Sequence, residues 1–378
     1  MKKSLDWTEA KLKLLWERAE DASYNDDKSL TILRILYGLF IIFFATPSYS
    51  WVGEVPQSLF VPPYLSVANF FDSFPDRTWL LAIDILLVIC AIALLMGIKA
   101  RYAGIIFSLF YIIGSSFAYS FGKIDHFILF PVFILGLSFT NWGAYNALIP
   151  DKRVDDRLQR RILAVLAVIL CFAMLTAGAM KALLWIDFDL GTGGFLSWFY
   201  EGFFTFQRRE LLAPFVMLVP SGAFELFDYF AVAFELLPVV ALLAGRKWWQ
   251  LWLFIASIFH LGNLLLLNIA FIEHSVIYLS FVPLASLIEF RQIHWKKTYI
   301  SLFVSAMITV IVIHHLFYFF TSGARSIGSV VLYALPIIGN EVKLSLYAGL
   351  LVWLLTVYIT GVVTIKAFSN VSNPKFIR

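Results

Sequence analysis

Ten stretches of this chain, each close to twenty residues long, are almost free of charge: roughly 30–46, 79–98, 102–121, 127–149, 162–185, 223–244, 248–271, 274–290, 299–320 and 342–365. A bilayer core of ~30 Å takes about 20 apolar residues of helix to cross, so each stretch is long enough to span. Within hydrocarbon every backbone N–H and C=O must be bonded internally, which leaves only helices and closed barrels. None of the stretches alternates with the two-residue period of a strand. The expected fold is all-α, a polytopic integral membrane bundle of about ten transmembrane helices. Composition agrees: of 378 residues, 61% are hydrophobic and 14% charged, with a mean hydropathy of +0.83. That leaves too little polar surface for a soluble enzyme, a disordered chain or a coiled coil.

The basic residues orient the bundle. With the N-terminus in the cytoplasm, segments 1–29, 99–101, 150–161, 245–247, 291–298 and 366–378 lie inside and hold 21 of the 29 Lys and Arg. The outside segments hold six. Lys and Arg gather on the cytoplasmic side of membrane proteins, and every loop here conforms, so both termini are expected inside. Topology consumes the basic residues, and no nucleic-acid partner is expected beside the lipid bilayer. Cys90 and Cys171 lie in apolar runs, which offers neither a disulfide framework nor a zinc site, and no metal is expected. No cleavable signal peptide is expected. Leu12, Leu15, Trp16 and Ala19 recur at helical spacing beside Lys11, Lys13 and Arg18. That pattern suits a helix on the inner membrane surface or a frayed tail. The chain then divides into this N-terminal segment (1–29), a main membrane domain (30–290) and two further helices with a short tail (291–378).

Two outside loops are too long for plain connections and are expected to cover a site or a partner surface. Residues 47–78 carry Pro47, Pro56, Pro62, Pro63 and Pro75. Residues 186–222 open with Gly191, Gly193 and Gly194 and turn strongly aromatic at Trp198, Phe199, Tyr200, Phe203 and Phe204. The glycines lack a strand–helix context and read as a turn, not a phosphate cradle.

Ionisable residues at membrane depth are costly and usually mark a site or its partner. By depth, Asp84, Lys181, Glu225, Asp228 and His126 are expected to gather near the outer face, and Glu235 and His260 to pair near mid-depth. Glu225, Asp228 and Glu235 are spaced by three and seven residues, which puts them on one helical face. Lys181 is the cation at matching depth. It is either a general base tuned by burial or half of a structural ion pair. Arg34 is explained by snorkelling. His274 and Glu273 are expected in a short solvated outer turn, and His314 and His315 as packing or interfacial residues.

The stretch Thr176-Ala177-Gly178-Ala179-Met180-Lys181, followed by Trp185, resembles the Ala-Gly-x-x-Lys…Trp signature of the HTTM family, the membrane domain shared with vitamin K-dependent γ-glutamyl carboxylase. Ala233-Phe234-Glu235-Leu236 with Pro238 resembles the family's next acidic position. Phe259-His260-Leu261-Gly262-Asn263 resembles its Phe-His-x-x-Asn motif, and Asp125-His126 the carboxylase's outer histidine. The resemblance covers roughly residues 30–290. It implies that Lys181 deprotonates a reduced quinone of the vitamin K or menaquinol type and that His126 assists the later chemistry. It further implies that Glu235, His260, Asn263 and Trp185 shape the quinone site, with Asp84, Glu225 and Asp228 as a supporting polar cluster. A bacterial-type cytoplasmic membrane is the implied setting. No counterpart of the carboxylase's large lumenal region follows the membrane part here.

Two functions follow as expectations. One is a carboxylase-like intramembrane enzyme acting at the outer side, on a small exported peptide. The other is a non-catalytic maturation or partner-binding factor for a secreted peptide, with an accessory subunit, of the kind that matures the sporulation-delaying toxin. A transporter ranks lowest, because the spans show no inverted repeat.

Overall fold

The structure, a computed structural model, describes residues 2–187, 193–288, 306, 309 and 341–369. The expected ninth span with His314 and His315 lies outside the described residues apart from 306 and 309, as do Gly191 and the tail after 369. In chain order the first helices are α1 (Lys2–Ser23), α2 (Asp27–Phe44), α3 (Arg77–Met96), α4 (Ala100–Ala118), α5 (Leu129–Leu137) and α6 (Asp156–Leu184). There follow α7 (Gly194–Tyr200), α8 (Ala213–Val216), α9 (Gly222–Leu236), α10 (Pro238–Ala244), α11 (Arg246–Leu267), α12 (Glu273–Leu279) and α13 (Glu341–Ser369). Among the described residues there is no strand, only one parallel bridge between Ile98 and Ile149. Five helices there are long and apolar enough to cross a membrane: α3, α4, α6, α11 and α13. They are six if α9 and α10, bent by 48°, count as one span.

Three expected spans depart from straight helices, each for a local reason. Pro238 has no N–H to give the Phe234 carbonyl one turn back, and the helix bends there. The orphaned carbonyl accepts instead from the Trp252 indole at 3.1 Å. Pro283 bears the same relation to Leu279, where α12 stops. The expected span 127–149 is an α-helix only through α5. After it, Ser138 Oγ donates to the Ile134 carbonyl (2.7 Å) and Thr140 Oγ1 to the Leu137 carbonyl (2.6 Å), and the chain passes into turns. Such side-chain bonds compete with the helical ladder.

The chain forms two compact units that interleave along the sequence. One holds residues 26–159 with 284–341. Its helices α2 to α5 pack in succession, with Tyr37, Phe107, Phe130 and Trp142 at their centre. Arg34 does not snorkel. It is wholly buried and donates to five carbonyls, those of Leu94 and Leu95 at the end of α3 and of Trp142, Tyr145 and Asn146 after α5. The last carbonyls of a helix lack internal partners, and the guanidinium supplies them.

The other unit holds residues 1–25, 160–283 and 342–378. In it α1 rests on α10 and α11, with Ala19 and Ala22 buried and Leu12 exposed. Helix α13 runs antiparallel to α11: Gly349 lies against Leu264 and Ala270, Gly361 against Phe254, and Thr364 donates to the Gln250 carbonyl at 3.0 Å.

Candidate functional site

Helices α6 and α9 touch at Gly178. A β-carbon there would stand 2.8 Å from Glu235 Cβ and 3.1 Å from the Leu236 side chain, so only a residue without one allows the approach. Lys181, three residues on, then reaches the neighbouring helix, and its ammonium pairs with Glu235 Oε1. The side chains are 20% and 6% exposed, so the pair is largely removed from solvent. Water cannot screen charges in such a place, and they hold one another only if geometry and hydrogen bonds are right. Lys181 Nζ also lies 5.0 Å from the centroid of the Trp185 ring, within cation–π range. Trp185 in turn lies against Gly194, where any β-carbon would overlap the indole. The second oxygen of Glu235, Oε2, is buried and bonded to none of the described residues. Buried acceptors in native proteins are nearly always satisfied, and one left open asks for an explanation.

Glu225, Asp228 and Glu235 are all buried, but they do different things. Asp228 accepts from the backbone N–H groups of Gly194 (2.9 Å) and Phe195 (2.8 Å). It thereby caps α7 from a neighbouring helix, since the first amides of a helix have no internal partner. Glu225 stands one turn from Asp228 and Tyr229 on α9. The expected pairing of Glu235 with His260 is replaced by two separate bonds, because the Lys181 ammonium outcompetes an imidazole for the carboxylate. His260 Nε2 shares a hydrogen bond of 2.7 Å with the Tyr278 hydroxyl, and Asn263 Nδ2 stands 3.5 Å from His260 Nδ1.

His274 is not solvated. It is 3% exposed, with its ring 5.2 Å from that of His260, and Trp353 of α13 packs against His260 at the same distance. Sequence reasoning missed Tyr278 and Trp353 and set His274 in a solvated turn. His274 and Tyr278 are four residues apart, a helical spacing that signals a shared face, whereas Trp353 left no signal.

Asp84 and His126 belong to the unit built on α2 to α5. Asp84 accepts from the backbone N–H groups of Tyr49 (2.7 Å) and Ser50 (3.0 Å) and so holds the 3-10 turn Ser50–Glu54. His126 opens the 3-10 turn His126–Ile128, its ring beside Phe127 at 4.5 Å. Among the described residues no three His, Cys, Asp or Glu side chains converge as a metal site requires.

Comparison with protein-family models, with curated protein sequences and with solved structures finds no match. The fold is that of a helical protein with several helices suited to crossing a membrane. Among the described residues, Lys181–Glu235 is its largely buried ammonium–carboxylate pair.

Proposed function

We propose that the chain is an HTTM-type enzyme of the membrane, in which the Lys181–Glu235 pair moves a proton to or from a reduced quinone of the vitamin K or menaquinol type. In this reading ten helices span the membrane, both termini are cytoplasmic, and the reaction at the outer side modifies a small exported peptide. The observation that carries the reading is the pair itself: a buried ion pair with one carboxylate oxygen open and an indole beside it. A hydroxylated aromatic ring fits that donor set, because its O–H needs a buried acceptor and its ring a flat apolar wall. Glu235 and Lys181 would hold the hydroxyl, with Trp185, His260 and Asn263 around the ring. A bound quinol would supply the electrons, with dioxygen as their acceptor. The protein supplies the proton acceptor, the counter-charge and the exclusion of water.

The test is purified protein in nanodiscs given reduced menaquinone, dioxygen, bicarbonate and candidate peptides. The expected result is quinol-dependent turnover in the unsubstituted protein. Lys181→Ala should lose it while keeping the same elution profile and helix content. Turnover that survives in Lys181→Ala refutes the reading.

A second reading, a non-catalytic maturation factor, draws support from the buried carboxylate of Asp228, which serves to hold the aromatic segment Gly194–Tyr200 in place. Under it, Lys181→Ala lowers stability in detergent, and a peptide or subunit copurifies with the protein.

A further inference from the structure

Lys181 Nζ has an anion on one side and the face of an indole near it on the other. Both are attractions to a charged ammonium, and neither favours a neutral amine. An amine acting as base would have to shed its proton first and forgo both. Glu235 stands differently. Its Oε1 is taken by Lys181, and its Oε2 is desolvated with no described partner. A buried acceptor left open is destabilising, and a donor from a bound molecule removes that cost. A hydrogen-bond donor placed at Oε2 meets a carboxylate whose charge is already balanced from its other side.

We infer that Glu235 Oε2, and not the Lys181 amine, takes the proton from the substrate hydroxyl, with Lys181 as the fixed counter-charge. This rests on the quinol reading above. In the step the substrate O–H bond breaks and its electron pair stays on the substrate oxygen. A new O–H bond forms on Glu235 Oε2, and the carboxylate becomes a neutral acid. Lys181 keeps all its protons, and its ammonium turns from the neutralised carboxyl to the new oxyanion. Charge is conserved within the site, since one anion replaces another beside the same cation. The arrangement suits phenols and hydroquinones, whose O–H is acidic enough to exchange with a carboxylate once the product anion is paired.

The substitutions separate the two candidate bases. Arg retains the positive charge of Lys and cannot act as a base. Gln keeps the shape of Glu and cannot accept the proton to form an acid. The experiment uses the full chain in nanodiscs with menaquinol-4 as the probe. Retention of the quinol is measured by extraction, turnover by its oxidation with dissolved dioxygen as the electron acceptor, and proton uptake by infrared difference spectra in the carboxylic C=O region. Lys181→Arg should retain turnover within about tenfold, whereas loss of a general base costs about 10²–10⁴-fold, the fall expected of Glu235→Gln. A carboxylic C=O band should rise on quinol addition in the unsubstituted protein and in Lys181→Arg, and be absent in Glu235→Gln. The band's shift with isotope-labelled glutamate in the unsubstituted protein shows that the acid formed is a glutamic acid, and its persistence in Glu225→Gln assigns it to Glu235. Quinol retention with turnover lost in Lys181→Arg but kept in Glu235→Gln overturns the inference and leaves the quinol reading standing. No quinol retention by the unsubstituted protein overturns both.

Discussion

Asp228→Ala should release the start of α7 while the rest of its unit stays folded. The carboxylate is wholly buried and accepts two successive backbone amides at 2.9 and 2.8 Å. Hydrogen bonds to a charged group contribute about 1.5–3 kcal/mol each, so the gross loss is about 3–6 kcal/mol. Removing the anion also removes its desolvation cost, which brings the net effect to the lower end, about 3 kcal/mol. A change of that size alters an opening equilibrium by about two orders of magnitude. Hydrogen exchange by mass spectrometry, in the detergent-solubilised protein, reads it directly. Peptides over 194–206 should exchange about a hundredfold faster, while α11 keeps its protection. Asp228→Asn retains one accepting oxygen and should lose roughly half as much free energy. Unchanged protection over 194–206 in Asp228→Ala would refute the capping role, and an equal loss over α11 would show that Asp228 supports the whole unit instead.

Gly178→Ala puts a methyl group against Glu235 and should cost about 1–3 kcal/mol by overpacking. The helices must part there, so an amine-acylating reagent should label Lys181 faster than in the parent, as peptide mass spectrometry will show. Arg34→Met removes the side-chain donor of five carbonyls in the α2–α5 unit, of which Leu94 keeps the Gly97 N–H, and should destabilise that unit by about 3–5 kcal/mol. Arg34→Lys, with three donors for five acceptors, should restore only part of the loss in thermal unfolding.

The apolar runs announced helices because hydrocarbon leaves the backbone little choice, and α3, α4, α6, α11 and α13 follow them closely. Counting hydropathy alone misses what interrupts a helix from within. Pro238 and Pro283 were visible in the sequence, but that an indole would rescue the Phe234 carbonyl was not. Depth counted along straight helices put Lys181 with Glu225 and Asp228 and set Glu235 apart with His260. The reach of a lysine side chain and the close approach at Gly178 give Lys181 to Glu235. Asp84 and Asp228 stood out as ionisable residues in apolar runs. Their work for the backbone of distant loops leaves no pattern in the order of residues, because the acceptor and its amides lie 33–35 positions apart. Arg34 misled for a related reason, since its five acceptors are main-chain atoms that no residue type reveals.

The break at Pro238 has a mechanical side. Glu235 is the third residue before it, the short arm α10 begins at it, and α1 rests along that arm. The packing of α1 on that arm therefore lies across a 48° bend from the carboxylate that holds Lys181, so a change in how α1 is seated would reach the pair only through the break.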